Sequence, residues 1–303
     1  MPHPRNSLKY SEPMTSNQQT GSRAYLFSIV LVAIIGGLLF GYDTAVVSGA
    51  EQALVQFFRS AADFTYTSWM HGFTASSALI GCVIGGAISG LLASRFGRKR
   101  SLVMAAVLFF ISAVGSWRPE SGILPYGEAS LPLLVSFNIY RIIGGIGVGL
   151  ASAVCPMYIA EISPAKIRGT LVSCNQFAII FGMLVVYFVN YLIRNHLGDT
   201  GEAIQAAMIQ IGWRRMFLSE AFPAGAFFLL IMLVPETPRF LALRGCDAKA
   251  FAVCFDILLI YGLLGMRALA GRHFLINIKN NPADSCIFLL CIRDSIFEIR
   301  FFG

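Results

Sequence analysis

The chain has 303 residues, 56% of them hydrophobic and only 13% charged, with a mean hydropathy of +0.69. Soluble domains carry about 25% charged residues, so this composition argues against a water-soluble enzyme or a nucleic-acid module. The formal net charge of +7 is then expected to set orientation in a bilayer, and no nucleic-acid partner is implied.

Residues 1–23 are polar, with Arg5, Lys9 and Arg23 and no apolar core. They do not resemble a secretory signal and read as a short cytoplasmic tail. Six apolar stretches follow, at 24–50, 70–93, 101–117, 134–157, 169–193 and 212–234. Each meets or approaches the roughly 20 residues that cross a bilayer; the third is the shortest. The reading is an all-α membrane protein with a six-helix domain over 24–240.

Basic residues divide unequally between the connections. The tail, Arg95–Arg100, Lys166 with Arg168, and Arg239 with Arg244 place eleven on one side. The opposite connections hold five: Arg59, Arg118, Arg194, Arg214 and Arg215. The positive-inside rule therefore puts the N-terminus and the end of the sixth span in the cytoplasm. Acids on the far side, among them Glu51 and Glu120, weigh little in that rule. Small residues four apart (Gly81 and Gly85, Gly86 and Gly90, Gly145 and Gly149) suit close helix packing in lipid. The seven cysteines and four histidines form no metal motif, and no nucleophile–base arrangement supports an enzyme.

The informative residues are ionisable groups inside spans: Asp43, Arg141 and Glu220. Each costs several kcal/mol at membrane depth unless paired or hydrated. Counting along helices at about 1.5 Å per residue, all three lie roughly 10–12 Å from the outer ends of spans one, four and six. Asp43 and Arg141 can pair if those spans are neighbours. The pair is either a proton-coupled switch, in which protonation of Asp43 releases Arg141, or a buried brace that fixes helix register. Glu220 either hydrogen-bonds Arg141 or caps a cavity.

On span one, Gly36, Phe40, Asp43 and Val47 fall at helical spacing, giving a face of ring, glycine and carboxylate that suits a sugar cavity. On span five, Gln176, Met183 and Asn190 recur every seven residues. Amide side chains donate and accept at once, as sugar hydroxyls require. An interhelical hydrogen bond is the alternative for Gln176, and packing is the expectation for Asn175 and Asn190.

Six ordered segments resemble the sugar porters of the major facilitator superfamily. Gly36-Gly-Leu-Leu-Phe-Gly-Tyr-Asp-Thr-Ala-Val-Val-Ser-Gly49 is similar to their first helix. Arg95-Phe-Gly-Arg-Lys-Arg100 resembles the loop between helices two and three, and Tyr140–Gly149 resembles helix four. Pro156–Glu161 with Ile167-Arg-Gly169, then Asn175–Gly182, then Pro235-Glu-Thr-Pro-Arg239 resemble the following loop, helix five and the signature after helix six. The wording is closest to the bacterial D-xylose–proton symporter branch.

The resemblance implies the N-terminal half of the major facilitator fold, built of two three-helix repeats in the cytoplasmic membrane. It implies proton-coupled uptake of a monosaccharide, D-xylose or a similar pentose or hexose, by alternating access, with the proton as coupling ion and no cofactor. It assigns proton coupling to Asp43, Arg141 and Glu220. It assigns sugar contacts to Phe40 and Gln176, and a sugar-cavity position to Met183, where that branch is expected to carry glutamine. It assigns cytoplasmic gate charges to Arg98, Glu161, Arg168, Glu236 and Arg239; their plain reading is a solvated face that sets topology. An uncoupled facilitator (against which Asp43 argues), a sugar-binding membrane sensor and a non-transporting fragment remain alternatives.

The resemblance ends near Arg244-Gly245. Four of the seven cysteines follow residue 245, and no Gln occurs after Gln210. Residues 241–303 read as a divergent, truncated or frame-shifted tail with a possible helix at 248–268, and a C-terminal six-helix half is needed to complete the site.

Overall fold

A computed structural model describes residues 20–120, 125–163, 167–198, 201–246, 249, 250 and 253, and side chains from Ile29 onward. Most of the expected tail before residue 23 and nearly all of the possible helix at 248–268 lie outside the described residues. Among those described, every regular element is helical. Helices α1 (Thr20–Arg59), α2 (Ser68–Phe96), α3 (Arg98–Trp117), α4 (Leu131–Ile162) and α5 (Arg168–Asn195) are continuous. The sixth span is assembled end to end from α6 (Gly201–Ala207), a π-helical turn (Met208–Gly212), α7 (Trp213–Ser219) and α8 (Ala221–Leu233). A short α9 (Pro238–Leu243) follows. Among the described residues, six helices are long and apolar enough to cross a membrane.

The helices outrun the apolar stretches. In α1, Ala53, Leu54, Phe57 and Phe58 continue a buried stripe at helical spacing beyond residue 50, so the helix continues to Arg59. The sixth span begins at Gly201 rather than residue 212, because the π-helical turn carries the chain through Met208–Gly212 without a break.

Local chemistry sets the boundaries. Thr67 caps α2, its hydroxyl accepting from the Met70 amide at 3.4 Å. Pro132 sits in the first turn of α4, where no amide donor is missed. Between α2 and α3, Gly97 has φ 98, a backbone state that glycine adopts without strain, and the Glu236 carboxylate closes over it.

Two helix pairs repeat one design. α2 packs along α4, and α1 along α5. Gly81 and Gly85 meet the backbone of Ile142 and Ile146, while Gly145 and Gly149 meet Ala78 and Cys82. In the other pair Gly41 meets Ile179 and Gly182 meets Leu38. A Cβ at any of these would strike backbone, so the close approach depends on glycine. Helices one and five thus mirror helices four and two, as two three-helix repeats require. A Cβ at Gly86 or Gly90 would meet open space, although the Gly86 backbone itself packs against Gly149.

Two apolar clusters fill the bundle. One holds Leu39, Phe109, Val154, Tyr158 and Phe227, toward the basic loops. The other holds Phe58, Leu133, Phe137, Trp213 and Phe217, toward the opposite end. On α1, α4 and the sixth span, the change from one cluster to the other falls beside Asp43, Arg141 and Glu220. Outside, Leu79, Val83, Phe177, Leu184, Phe188 and Phe222 are exposed, an apolar surface that lipid or a second helical half can cover.

Candidate functional site

The structure brings Asp43 and Arg141 together. Arg141 Nη1 donates to Asp43 Oδ1 at 2.5 Å and Nη2 to Oδ2 at 3.5 Å. Each residue is 2% exposed. The guanidinium lies over the Phe217 ring, 5.2 Å from its centroid. Glu220 is fully buried where α7 gives way to α8, with Asp43 and Arg141 as its charged neighbours. Neither of its oxygens meets a partner at hydrogen-bonding geometry. Of the two alternatives for Glu220, a hydrogen bond accepted from Arg141 is not made: the guanidinium pairs with Asp43, and Glu220 stands beside the pair. Tyr42, next to Asp43, pairs its hydroxyl with Ser219 at 2.7 Å, next to Glu220.

On α1, Gly36 is buried against Cys155 and Phe227, and Asp43 turns inward to pair with Arg141 of α4. Phe40 is half-buried against the apolar cluster toward the basic loops. The α5 face also divides: Gln176 is exposed, Met183 half-buried, and Asn190 buried against Gly49. A seven-residue repeat drifts about 20° per step around a straight helix, and two steps carry Asn190 into the α1 contact. The cleft beside Arg141 is lined by Val47, Thr74, Phe137 and Phe217 with Glu51 and His71; Phe40, Gln176 and Met183 are not part of it.

At the basic-loop end, four of the five gate charges converge. Arg98 Nη2 pairs with Glu161 Oε1 at 2.7 Å, and Arg239 approaches the same oxygen at 3.9 Å. Glu236 Oε1 accepts the backbone amides of Arg98 and Lys99, each at 3.0 Å, and so caps the start of α3. Arg168 stands apart, exposed, donating to the Ser163 carbonyl at 3.4 Å and pairing with no acid among the described residues. Sequence reasoning missed two supports here: Lys99 Nζ donates to the Met232 carbonyl at 2.7 Å, and Tyr158 to the Pro235 carbonyl at 2.7 Å. Both are long-range contacts to backbone, which residue type does not reveal.

Arg214 and Glu120, read as loop charges, are also corrected. Arg214 is 1% exposed and Glu120 4%. Arg214 Nη2 lies 2.6 Å from Glu120 Oε1, and Nη1 donates to Oε2 at 2.9 Å and to the Trp117 carbonyl at 3.3 Å. The rings of Trp213, Tyr126 and Phe57 lie 4.5, 5.0 and 5.6 Å from the guanidinium. Burial raises the Glu120 carboxyl, but hydrogen bonds from Arg214 and the backbone outweigh it and hold the group below its ordinary value.

Six apolar helices arranged as paired three-helix repeats, with a buried acid–arginine pair between two apolar clusters, define the fold as half of a major-facilitator-type bundle. The family model described as sugar (and other) transporter matches residues 29–257, twelve positions past Gly245, and the chain belongs to that family. It is 51% identical over 243 residues to the D-xylose-proton symporter of Escherichia coli strain K12, covering 78% of this chain and 48% of that protein. It is 35% identical to the arabinose-proton symporter of Bacillus subtilis, covering 82% and 48%. A solved structure of the E. coli xylose transporter XylE, partially occluded and inward open, matches with a TM-score of 0.70 and 51% identity over 78% of this chain and 54% of that one. The chain spans about half the length of the curated relatives it matches.

Proposed function

We propose that the chain is the N-terminal half of a proton-coupled monosaccharide carrier acting on D-xylose or a similar sugar. The observation that carries this reading is the buried Asp43–Arg141 pair with an uncommitted Glu220 beside it, in a chain 51% identical to a D-xylose-proton symporter. A proton on Asp43 cancels the charge that holds Arg141. The freed guanidinium has a second acid at hand in Glu220, so the cation is not left uncompensated. The proton thereby exchanges one buried pairing for another and biases the helices that carry them, α1, α4 and the sixth span.

In this reading the charges joining Arg98, Glu161, Glu236 and Arg239 brace the cytoplasmic end, with the N-terminus cytoplasmic in the inner membrane. Phe40, Gln176 and Met183 contribute the half-site for sugar, and a second six-helix half supplies the rest. Gln176 is exposed, which leaves its amide free for a ligand hydroxyl.

Uptake of labelled D-xylose into vesicles bearing the 303-residue chain, with and without an inward proton gradient, tests the proposal. Gradient-driven uptake that disappears in Asp43→Asn supports symport. Uptake indifferent to the gradient supports a facilitator, and sugar binding without uptake supports a sensor or an incomplete carrier.

A further inference from the structure

The cleft beside Arg141 has ionisable groups at its mouth that the coupling pair does not use. Glu51 on α1 and His71 on α2 meet across it, His71 Nε2 lying 3.0 Å from Glu51 Oε1. Their side chains are 32% exposed for His71 and 48% for Glu51, so both touch solvent. The other ring nitrogen, Nδ1, is buried and has no hydrogen-bond partner. One ring thus joins an exposed carboxylate to the interior. The rest of the cleft wall is apolar, apart from Thr74 and from Arg141 itself. Its free space is about that of a single water.

The charged and titratable groups around this ring are few. From α1 come Glu51 and, about two turns further on, Arg59, whose charge reaches Tyr66 as that of Glu51 does. The α1–α2 connection gives Tyr66, edge-on to the His71 ring at 6.3 Å. α4 gives Arg141, and α7 gives only the Phe217 ring. Among the described residues lining the cleft, Glu51 is the only acid. α1 and α2 otherwise touch little, so the His71–Glu51 contact is a principal tie between them.

We propose that Glu51 and His71 form the proton port of this end of the bundle. A proton from water binds the Glu51–His71 pair, leaves through the ring's second nitrogen to a water in the cleft, and arrives on the Asp43 carboxylate. Arg141 stays protonated throughout, so one proton enters and one carboxylate is neutralised. Histidine suits the task because one ring nitrogen can take a proton while the other gives one up. Neither group reacts with sugar; both act through Asp43. The proposal rests on the coupling reading above and adds the route by which the proton arrives.

The test uses the whole 303-residue chain in lipid vesicles after a rapid acid jump. Proton arrival is read as growth of the carboxylic-acid infrared band that Asp43→Asn removes. His71→Gln keeps a polar side chain but cannot relay a proton, and it is expected to slow that growth at least tenfold. Added imidazole, a small diffusible proton carrier, is expected to restore the rate in His71→Gln and to leave the untouched chain unchanged. Glu51→Gln, which keeps the contact to the ring, is expected to slow growth less. Equal rates in the unaltered chain and His71→Gln would overturn the port while leaving coupling at Asp43 intact. Slowing that imidazole does not relieve would mark His71 as a structural tie and overturn the port as well. Absence of any Asp43 band in the unaltered chain would overturn the coupling reading itself, and the port with it.

Discussion

Two arginine–carboxylate pairs are all but sealed inside this bundle, and they are built to opposite ends. Arg214 has a single acid: Glu120 lies against two of its nitrogens, the Trp117 carbonyl accepts from one of them, three aromatic rings lie beside the guanidinium, and its Nε has no hydrogen-bond partner. Arg141 has one carboxylate, one ring and a second acid that nothing occupies. The first arrangement has one good state. The second has two acids for one cation, which is what the proposed proton switch requires. Burial of an ion pair is therefore not the signature of a switch; an unfilled alternative beside it is.

The largest expected effect is at the Arg214–Glu120 pair. Arg214→Ala leaves Glu120 buried without a counter-charge and is expected to cost about 3–5 kcal/mol, read as a large fall in thermal stability in detergent. Arg214→Lys recovers little of it, because an ammonium cannot match the two-pronged contact or stack on the rings. If Arg214→Ala costs no more than a surface substitution, the contrast between the pairs is lost.

The next effect is a coupling. Asp43→Asn alone leaves Glu220 to compensate Arg141, and Glu220→Gln alone leaves Asp43 to do so. The double variant leaves neither. Its stability loss is expected to exceed the sum of the two single losses by about 1–3 kcal/mol, measured as a double-mutant cycle on thermal or denaturant unfolding. Additive losses would mean that Glu220 is not the alternative partner.

A smaller effect is expected for Glu220→Gln alone. The carboxylate meets no hydrogen-bond partner, so removing its charge is expected to change stability by less than about 1 kcal/mol or to raise it. The same unfolding curves check this, and a loss comparable to that in Arg214→Ala would contradict it.

The smallest effect is on the acid limb of stability. Glu120 is held below its ordinary 4.5 in the folded chain. As pH falls, the unfolded chain takes up that proton first. The contribution of the pair is full above the ordinary carboxylate range and drains as pH drops through 4.5 toward the lowered value. Glu120→Gln is expected to be less stable near neutrality and to flatten that limb, which unfolding midpoints between neutral and acid pH would show.

The architecture was largely legible because a bilayer permits so few solutions: long apolar runs must be helices with internally satisfied backbones. The ends were not, since residues such as Gln52, Gln56 and Arg59 look like a loop in a hydropathy window yet continue α1 through the stripe at Ala53, Leu54, Phe57 and Phe58. The same window hid Arg214, because two opposite charges far apart in sequence cancel only once the fold brings Glu120 to it. Asp43 and Arg141 could be matched by depth alone, since both lie within single spans. The side they face could not: equal spacing along α1 put Asp43 and Phe40 together, whereas α4 draws the carboxylate inward and leaves Phe40 half-buried. His71 and Glu51 carried no sequence signal, being ordinary polar residues at the ends of different helices.

Proton linkage to sugar binding tests the difference between the two pairs most directly. D-xylose binding to the 303-residue chain can be measured calorimetrically in buffers that differ in their own protonation enthalpy. A heat that changes with buffer in the unaltered chain and in Glu120→Gln, but not in Asp43→Asn, is the expected result. A heat that follows the buffer equally in Asp43→Asn would show that the proton sits elsewhere and that the Asp43–Arg141 pair is only a brace.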